Sequence, residues 1–143
     1  MKKKPVEIFA AVPGGQPAIP LYLSLIPAGF PSPADDYIDR NLDLNEYLVK
    51  HPAATFFVKV SGDSMIHAGI DSGDILVVDR ALEPHHNKII VAVVDGEFTV
   101  KRLKKTGNRV FLVPENNRFP VMEIKEGTVF EVWGVVTTVI HKV

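Results

Sequence analysis

The chain predicts a mostly β fold, a small antiparallel domain with an extended N-terminal arm and one or two short helices, and three observations point there. From residue 54 onward the sequence falls into short runs rich in β-branched and aromatic residues, the composition of strands. Two of these runs are joined by Asp95-Gly96 alone, and a two-residue connection of that type marks a tight hairpin because both positions favour φ > 0. Ahead of the runs, residues 1 to 33 carry prolines at 5, 13, 17, 20, 27, 31 and 33, which remove backbone donors and fix φ. With 143 residues and 46% hydrophobic content, the chain suits one compact domain with a core of its own.

The arm, taken as residues 1–45, combines proline with Ile8, Phe9, Leu21, Tyr22, Leu23, Leu25, Ile26 and Phe30. Disordered tails are normally poor in such side chains, so this segment is expected to dock on a surface. Two helix starts follow. Ser32-Pro33-Ala34-Asp35 offers an N-cap, a proline at the first helical position and an acid in the first turn. Asp43-Leu44-Asn45-Glu46 repeats the capping pattern, and Pro52 is expected to end that helix.

The body, residues 46–143, is expected to hold strands at 55–60, 74–79, 88–94, 97–103, 109–113 and 128–140. Gly107-Asn108 closes a second hairpin between two of them. The last run is long for a single strand, and Gly134 is expected to bend or split it.

Composition narrows the chemistry. No cysteine is present, which removes disulfides, zinc-thiolate sites and cysteine nucleophiles and suits a cytoplasmic setting. A net charge of -1 does not suit direct, sequence-specific DNA binding. The basic run KRLKKTGNR (101–109) reads as a solvated strand end and turn. No stretch reaches the roughly 20 apolar residues that span a bilayer, so no membrane partner is expected. The opening MKKK imitates a secretory signal, but Glu7 and VPGGQP (12–17) interrupt the apolar segment such a signal needs.

Candidate chemistry centres on Ser64 in KVSGDSMIHAGIDSGD (59–74). Gly62-Asp63-Ser64 begins a G-x-S-x-G elbow, yet Ile66 stands where its last glycine belongs. His67, His85, His86 and His141 are available for a triad, and nothing in their spacing selects one. His85-His86 lack metal-ligand spacing and read as exposed loop residues, so no metal or cofactor is predicted. A neutral lysine is the other activator of a serine, and Lys101 is the candidate. In water only about 4 in 10,000 lysines are deprotonated at pH 7, so burial would have to lower its pKa. Alternation places Lys101 on the strand face opposite Phe98 and Val100, leaving Ser64 readable as a loop serine and Lys101 as a strand-edge lysine.

VSGDSM (60–65), GIDSGDILVVD (69–79) and VDGEFTVKRL (94–103) together resemble the LexA/UmuD-type serine-lysine self-cleaving peptidases. The similarity continues through LVPENNRFP (112–120) and WGVVTTVI (133–140), reaches back to AGFPSPADDY, and covers about residues 20–143. The resemblance implies a LexA/signal-peptidase-like β fold, Ser64 as nucleophile, Lys101 as general base, and an oxyanion hole from the backbone amides of Asp63 and Ser64. It places the scissile bond between Ala28 and Gly29, where small side chains let a backbone enter a narrow cleft. Five prolines and two glycines in the 28 residues before Gly29 disfavour a helix-turn-helix there, so the UmuD-like branch is expected over the LexA-like repressors. Several UmuD-like proteins carry Cys-Gly at the cut, whereas this chain has Ala-Gly as repressors commonly do. That branch implies an SOS mutagenesis protein, a homodimer stimulated by RecA filaments on single-stranded DNA. Its trimmed form joins a UmuC-like Y-family translesion polymerase subunit. A LexA-like or phage- or plasmid-borne self-cleaving regulator and a non-catalytic protein-binding module are the competing readings.

Overall fold

The computed structural model describes residues 6–11, 19–22 and 38–143. Ten strands run in chain order as β1 (Val6–Ala10), β2 (Ile19–Tyr22), β3 (Ile38–Leu42), β4 (Thr55–Val60), β5 (Ile75–Asp79), β6 (Ile89–Val94), β7 (Glu97–Thr106), β8 (Arg109–Val113), β9 (Met122–Ile124) and β10 (Phe130–Ile140). Eight form one antiparallel sheet in the order β1-β4-β5-β10-β6-β7-β8-β9, and β2 pairs with β3 separately. The predicted fold class is the observed one, with a single α-helix, α1 (Leu44–Leu48), among the described residues.

The six predicted strands all form, two with their expected bounds. Asp95-Gly96 joins β6 to β7 with φ of 48° and 84°, the left-handed pair that a type I′ turn needs. The run at 128–140 is not split. β10 continues for 11 residues, with its register shifting between Val132 and Gly134 against β6 and between Val136 and Thr138 against β5. Such bulges bend a strand without breaking its pairing. Glycine is needed at the bend because a Cβ on Gly134 would stand 2.5 Å from Val78 Cγ1.

Asp43 caps α1, its carboxylate accepting from the Asn45 N–H at 2.9 Å. The helix ends before Pro52: Val49 is already extended, and the proline instead opens a single 3-10 turn, Pro52–Ala54. The ring excludes helical backbone at the residue before it, so the chain leaves the helix early. The helix start at Ser32 lies outside the described residues. Short pieces go unread in the sequence: β9 has three residues, and β1 lies in the proline-punctuated arm yet pairs with β4 over five residues.

The sheet is packed on both faces. On one, Val58, Val60, Met65, Ile70, Leu76, Val78, Val91 and Val100 form a cluster joined by Ile8, Phe98 and Trp133. On the other, Ile90, Ala92, Leu103, Leu112 and Val135 form a second. Burying each large side chain among these contributes about 1.5–3 kcal/mol. The two clusters alternate along β6, where Ile90 and Ala92 face one way and Val91 the other.

Candidate active site

Ser64 sits in the loop 61–74 that connects β4 to β5. The neck of the loop is closed by backbone bonds, Val60 N–H to Asp74 O at 3.0 Å and Gly73 N–H to Val60 O at 2.8 Å. Met65 and Ile70, 3% and 2% exposed, plug the loop into the first cluster and hold Ser64 at a fixed height above it. Gly62, at φ 95°, lets the chain turn just before Ser64 in a conformation that side chains disfavour.

A second segment grips the loop from outside. The Glu115 N–H donates to Ser64 O at 2.8 Å, and the His67 N–H donates to Glu115 O at 2.9 Å. Asn116, 7% exposed, donates from Nδ2 to Asp63 O at 2.8 Å. Glu115 is in turn held by Arg102 of β7. The Asp63 and Ser64 carbonyls therefore point into this grip, and among the described residues neither amide N–H has a protein acceptor.

Lys101 reaches Ser64 from β7. Its Nζ lies 3.2 Å from Ser64 Oγ, 2.8 Å from Thr99 Oγ1 and 3.1 Å from Val100 O. The alternation expected for Phe98, Val100 and Lys101 holds, because Val100 stands opposite Val91 and Lys101 opposite Ile90. The face away from Phe98 is not solvent, however, but the side of the second cluster, to which Ile90 belongs. Lys101 is therefore half-buried, and burial pushes its ammonium below the ordinary lysine pKa. Thr99 shares that face two residues earlier, so the alternation that places Lys101 also finds its partner.

The hydrogen-bond geometry suits either protonation state. An ammonium has three donors for the three acceptors around it. A neutral amine has two N–H groups, matched by Thr99 Oγ1 and Val100 O, which leaves its lone pair facing the Ser64 hydroxyl. Deprotonation thus only reverses the direction of the Ser64–Lys101 bond.

The pair opens into a cleft of about 180 Å3 walled by Val60, Gly62, Ile70, Phe98 and Phe119. An adjoining cleft of about 530 Å3 runs past Glu97, Pro120 and Met122 and shares Phe98, Thr99, Lys101 and Phe119 with the first. Together they make a groove, mostly apolar, with Ser64 and Lys101 on its floor.

Other predicted positions fall elsewhere. Ala28 and Gly29 lie outside the described residues. His67, His85 and His86 are exposed, and His86 Nδ1 accepts from the Lys105 N–H at 2.8 Å, far from a triad role. His141 pairs with Asp74 at 2.7 Å, at the neck of the Ser64 loop. Asp71, Asp74 and His141 bring ligand atoms within 4.8 Å of one another, but the facing Nδ1 and Oδ1 are committed to that hydrogen bond. The basic run from 101 is only partly solvated: Lys101 and Arg102 serve the site, Lys104 bonds Asn87, and Arg109 pairs with Glu123 at 3.0 Å. Asn116 carries no sequence signal of its own as a site residue, since it acts through a contact that exists only in the fold.

Comparison with known proteins places the chain in a family. The Peptidase S24-like family profile matches residues 20–137. The chain is 49% identical over 127 residues to Protein SamA of Salmonella typhimurium, covering 89% of this chain and 88% of SamA. It is 51% identical over 121 residues to Protein MucA of Escherichia coli, covering 84% and 82% of the two. The LexA repressor of Paracidovorax citrulli is 35% identical over 136 residues, which are 94% of this chain but 60% of the repressor. With most of its length matched by the profile and by full-length relatives, the chain belongs to the Peptidase S24-like family.

Proposed function

We propose that this chain is a UmuD-like serine endopeptidase that cuts its own Ala28–Gly29 bond by serine-lysine chemistry. The observation that carries the reading is the 3.2 Å approach of Lys101 Nζ to Ser64 Oγ, with Lys101 held below its ordinary pKa by burial. Neutral Lys101 takes the Ser64 hydroxyl proton as Oγ attacks the Ala28 carbonyl carbon. The oxyanion that forms is received by the Asp63 and Ser64 N–H groups, which have no protein acceptor among the described residues. Collapse breaks the Ala28–Gly29 bond, and Lys101 returns the proton to the leaving amine. Water then attacks the Ser64–Ala28 ester, losing its proton to Lys101, and frees the Ala28 carboxylate.

In this reading residues 1–45 are the arm that carries the bond and residues 46–143 are the peptidase and dimerisation body. Family resemblance further supports a cytoplasmic SOS mutagenesis protein. Its homodimer meets RecA–single-stranded DNA filaments, and its trimmed form joins a UmuC-like Y-family translesion polymerase subunit. No helix among the described residues is long and apolar enough to cross a membrane.

Incubation of the purified chain across a pH series, followed by denaturing intact-mass measurement, tests the reading. Loss of residues 1–28 at a rate that climbs toward alkaline pH is expected, because the active form is the neutral lysine. An unchanged full-length mass at every pH, with and without RecA filaments, would reject it.

A further inference from the structure

The bond at Ala28–Gly29 lies between β2 and β3 in the sequence, so its hydrolysis divides two strand pairs. β1 and β2 go with residues 1–28, while their partners β4 and β3 stay with the body. Five registered pairs join β1 to β4, and four join β2 to β3. Backbone hydrogen bonds across these ladders do not depend on the scissile bond.

We propose that the outer edge of β4 is a strand-binding site, that the excised arm remains seated on it through Val6–Ala10 after hydrolysis, and that trimming is completed by strand exchange. The proposal rests on the cleavage reading above for the natural origin of the nick. The chemistry of the edge is specific. The Ala11 N–H donates to Thr55 O at 3.1 Å, and the antiparallel alternation from there turns the N–H and C=O of Phe57 and Lys59 toward β1. Glu7 stands opposite Lys59 and Phe9 opposite Phe57, an opposite-charge pair and an aromatic pair across the ladder. Ile8, opposite Val58, packs against the first core cluster. The ligand class is thus an extended peptide of the pattern acid–branched apolar–aromatic, laid antiparallel on β4.

An uncovered β4 would be a hazard, since its TFFVKV carries Lys59 as its single charge and little else to block pairing with another chain. Before the cut, β1 holds the edge intramolecularly, so the chain connection raises its local concentration over that of a free strand. After the cut that advantage is gone, and the same strand competes with any free extended segment. Hydrolysis therefore converts a covalent plug into an exchangeable one.

The test starts from wild-type chain incubated until denaturing mass shows residues 1–28 removed, then read by native mass spectrometry. At a protein concentration of about 10 µM the body should carry one copy of the peptide, and dilution to about 10 nM should release it. Ile8→Asp, which sets a carboxylate against the first core cluster, should still be cut but retain at least about tenfold less peptide. A synthetic peptide of residues 4–12 should displace the natural one, and its Ile8→Asp version should not. A body free of peptide at micromolar concentration, or equal retention by Ile8→Asp, overturns the proposal. A Ser64→Ala chain with a foreign protease site replacing Ala28–Gly29 yields the same nicked species without self-cleavage. Retention there with no self-cleavage in wild type would reject the proposed activity and keep the strand site, whereas loss of the peptide there would reject the strand site.

Discussion

Ser64 and Lys101 meet at 3.2 Å from two different kinds of structure. Ser64 stands in a loop whose shape is set locally, by glycines at positive φ and by a neck closed between Val60 and Asp74. Lys101 stands in the middle of a ten-residue strand, and its surroundings are set by pairing with β6 and by packing on the far side of the sheet. The contrast fits the two tasks proposed for them. A nucleophile must be reachable by substrate, which a loop at the sheet end provides. A lysine base must be desolvated, which only long-range packing provides.

The largest effects come from removing either partner. Ser64→Ala should abolish trimming, a loss of more than about 1,000-fold by intact mass, since triad-type nucleophiles leave little residual chemistry. Lys101→Arg should do the same, because guanidinium keeps the charge and cannot serve as a base near neutrality. Lys101→Met should also be inactive, yet melt at a higher temperature than wild type at neutral pH. The sign follows from the lowered pKa. Below the folded-state value both states carry the proton and the folded state bears the whole burial cost. Between that value and the ordinary 10.5 the unfolded chain binds more protons, so wild-type stability rises with pH. The advantage of Lys101→Met should therefore shrink as pH is raised; an advantage that stays constant would mean the methionine acts by packing alone.

How far the two halves could be read from sequence follows the same division. The turn at Asp95-Gly96, the six longer strands of the body, and the face occupied by Lys101 are local properties of the chain, and each reads correctly. Burial of Lys101 is not local. It requires knowing that Ile90 and Ala92 lie beneath a second face, and a strand with polar residues at 97, 99, 101 and 102 looks half-solvated. Asn116 is hidden for the same reason: its bond to Asp63 spans 53 positions. β1 escapes because prolines flank it, although at a sheet edge flanking prolines cost no ladder bonds.

Intermediate effects should come from the grip on the loop. Asn116→Ala removes the 2.8 Å bond to Asp63 O at a buried position, at a cost of about 1–3 kcal/mol in stability. Because that bond sets the peptide leading into Ser64, trimming should slow by about 10- to 100-fold, as for other small misplacements of reacting groups. Single-turnover cleavage kinetics on the folded variant would measure this, and a rate equal to wild type would show that the neck and core anchors suffice. Gly62→Ala isolates backbone strain, since nothing lies within 4 Å of the Cβ position while φ is 95°. It should cost about 1–2 kcal/mol and slow trimming less than Asn116→Ala does.

The smallest and most informative effect concerns His141, which fastens the same loop by electrostatics. Asp74 is buried, which by itself would raise its pKa, but the Asp71 N–H at 2.8 Å and His141 at 2.7 Å outweigh this and hold it below the ordinary 3.8. Hydrogen bonding to Asp74, and then its charge, raise His141 above 6.5. A raised histidine contributes stability that is full below 6.5 and is lost as pH climbs through its folded-state pKa. A lowered aspartate contributes stability present above 3.8 and lost as pH falls through its own. The pair is therefore strongest between those limits. His141→Gln should lower the melting temperature at about pH 6, by an amount that shrinks as the pH is raised through the folded-state pKa of the histidine. Its alkaline trimming rate should equal that of wild type, because the base and nucleophile are untouched. Melting curves across that pH range, run beside intact-mass kinetics, separate the two roles: a rate that falls with the melting temperature would make His141 part of how Ser64 is positioned, and a rate that does not confines it to holding the neck of the loop.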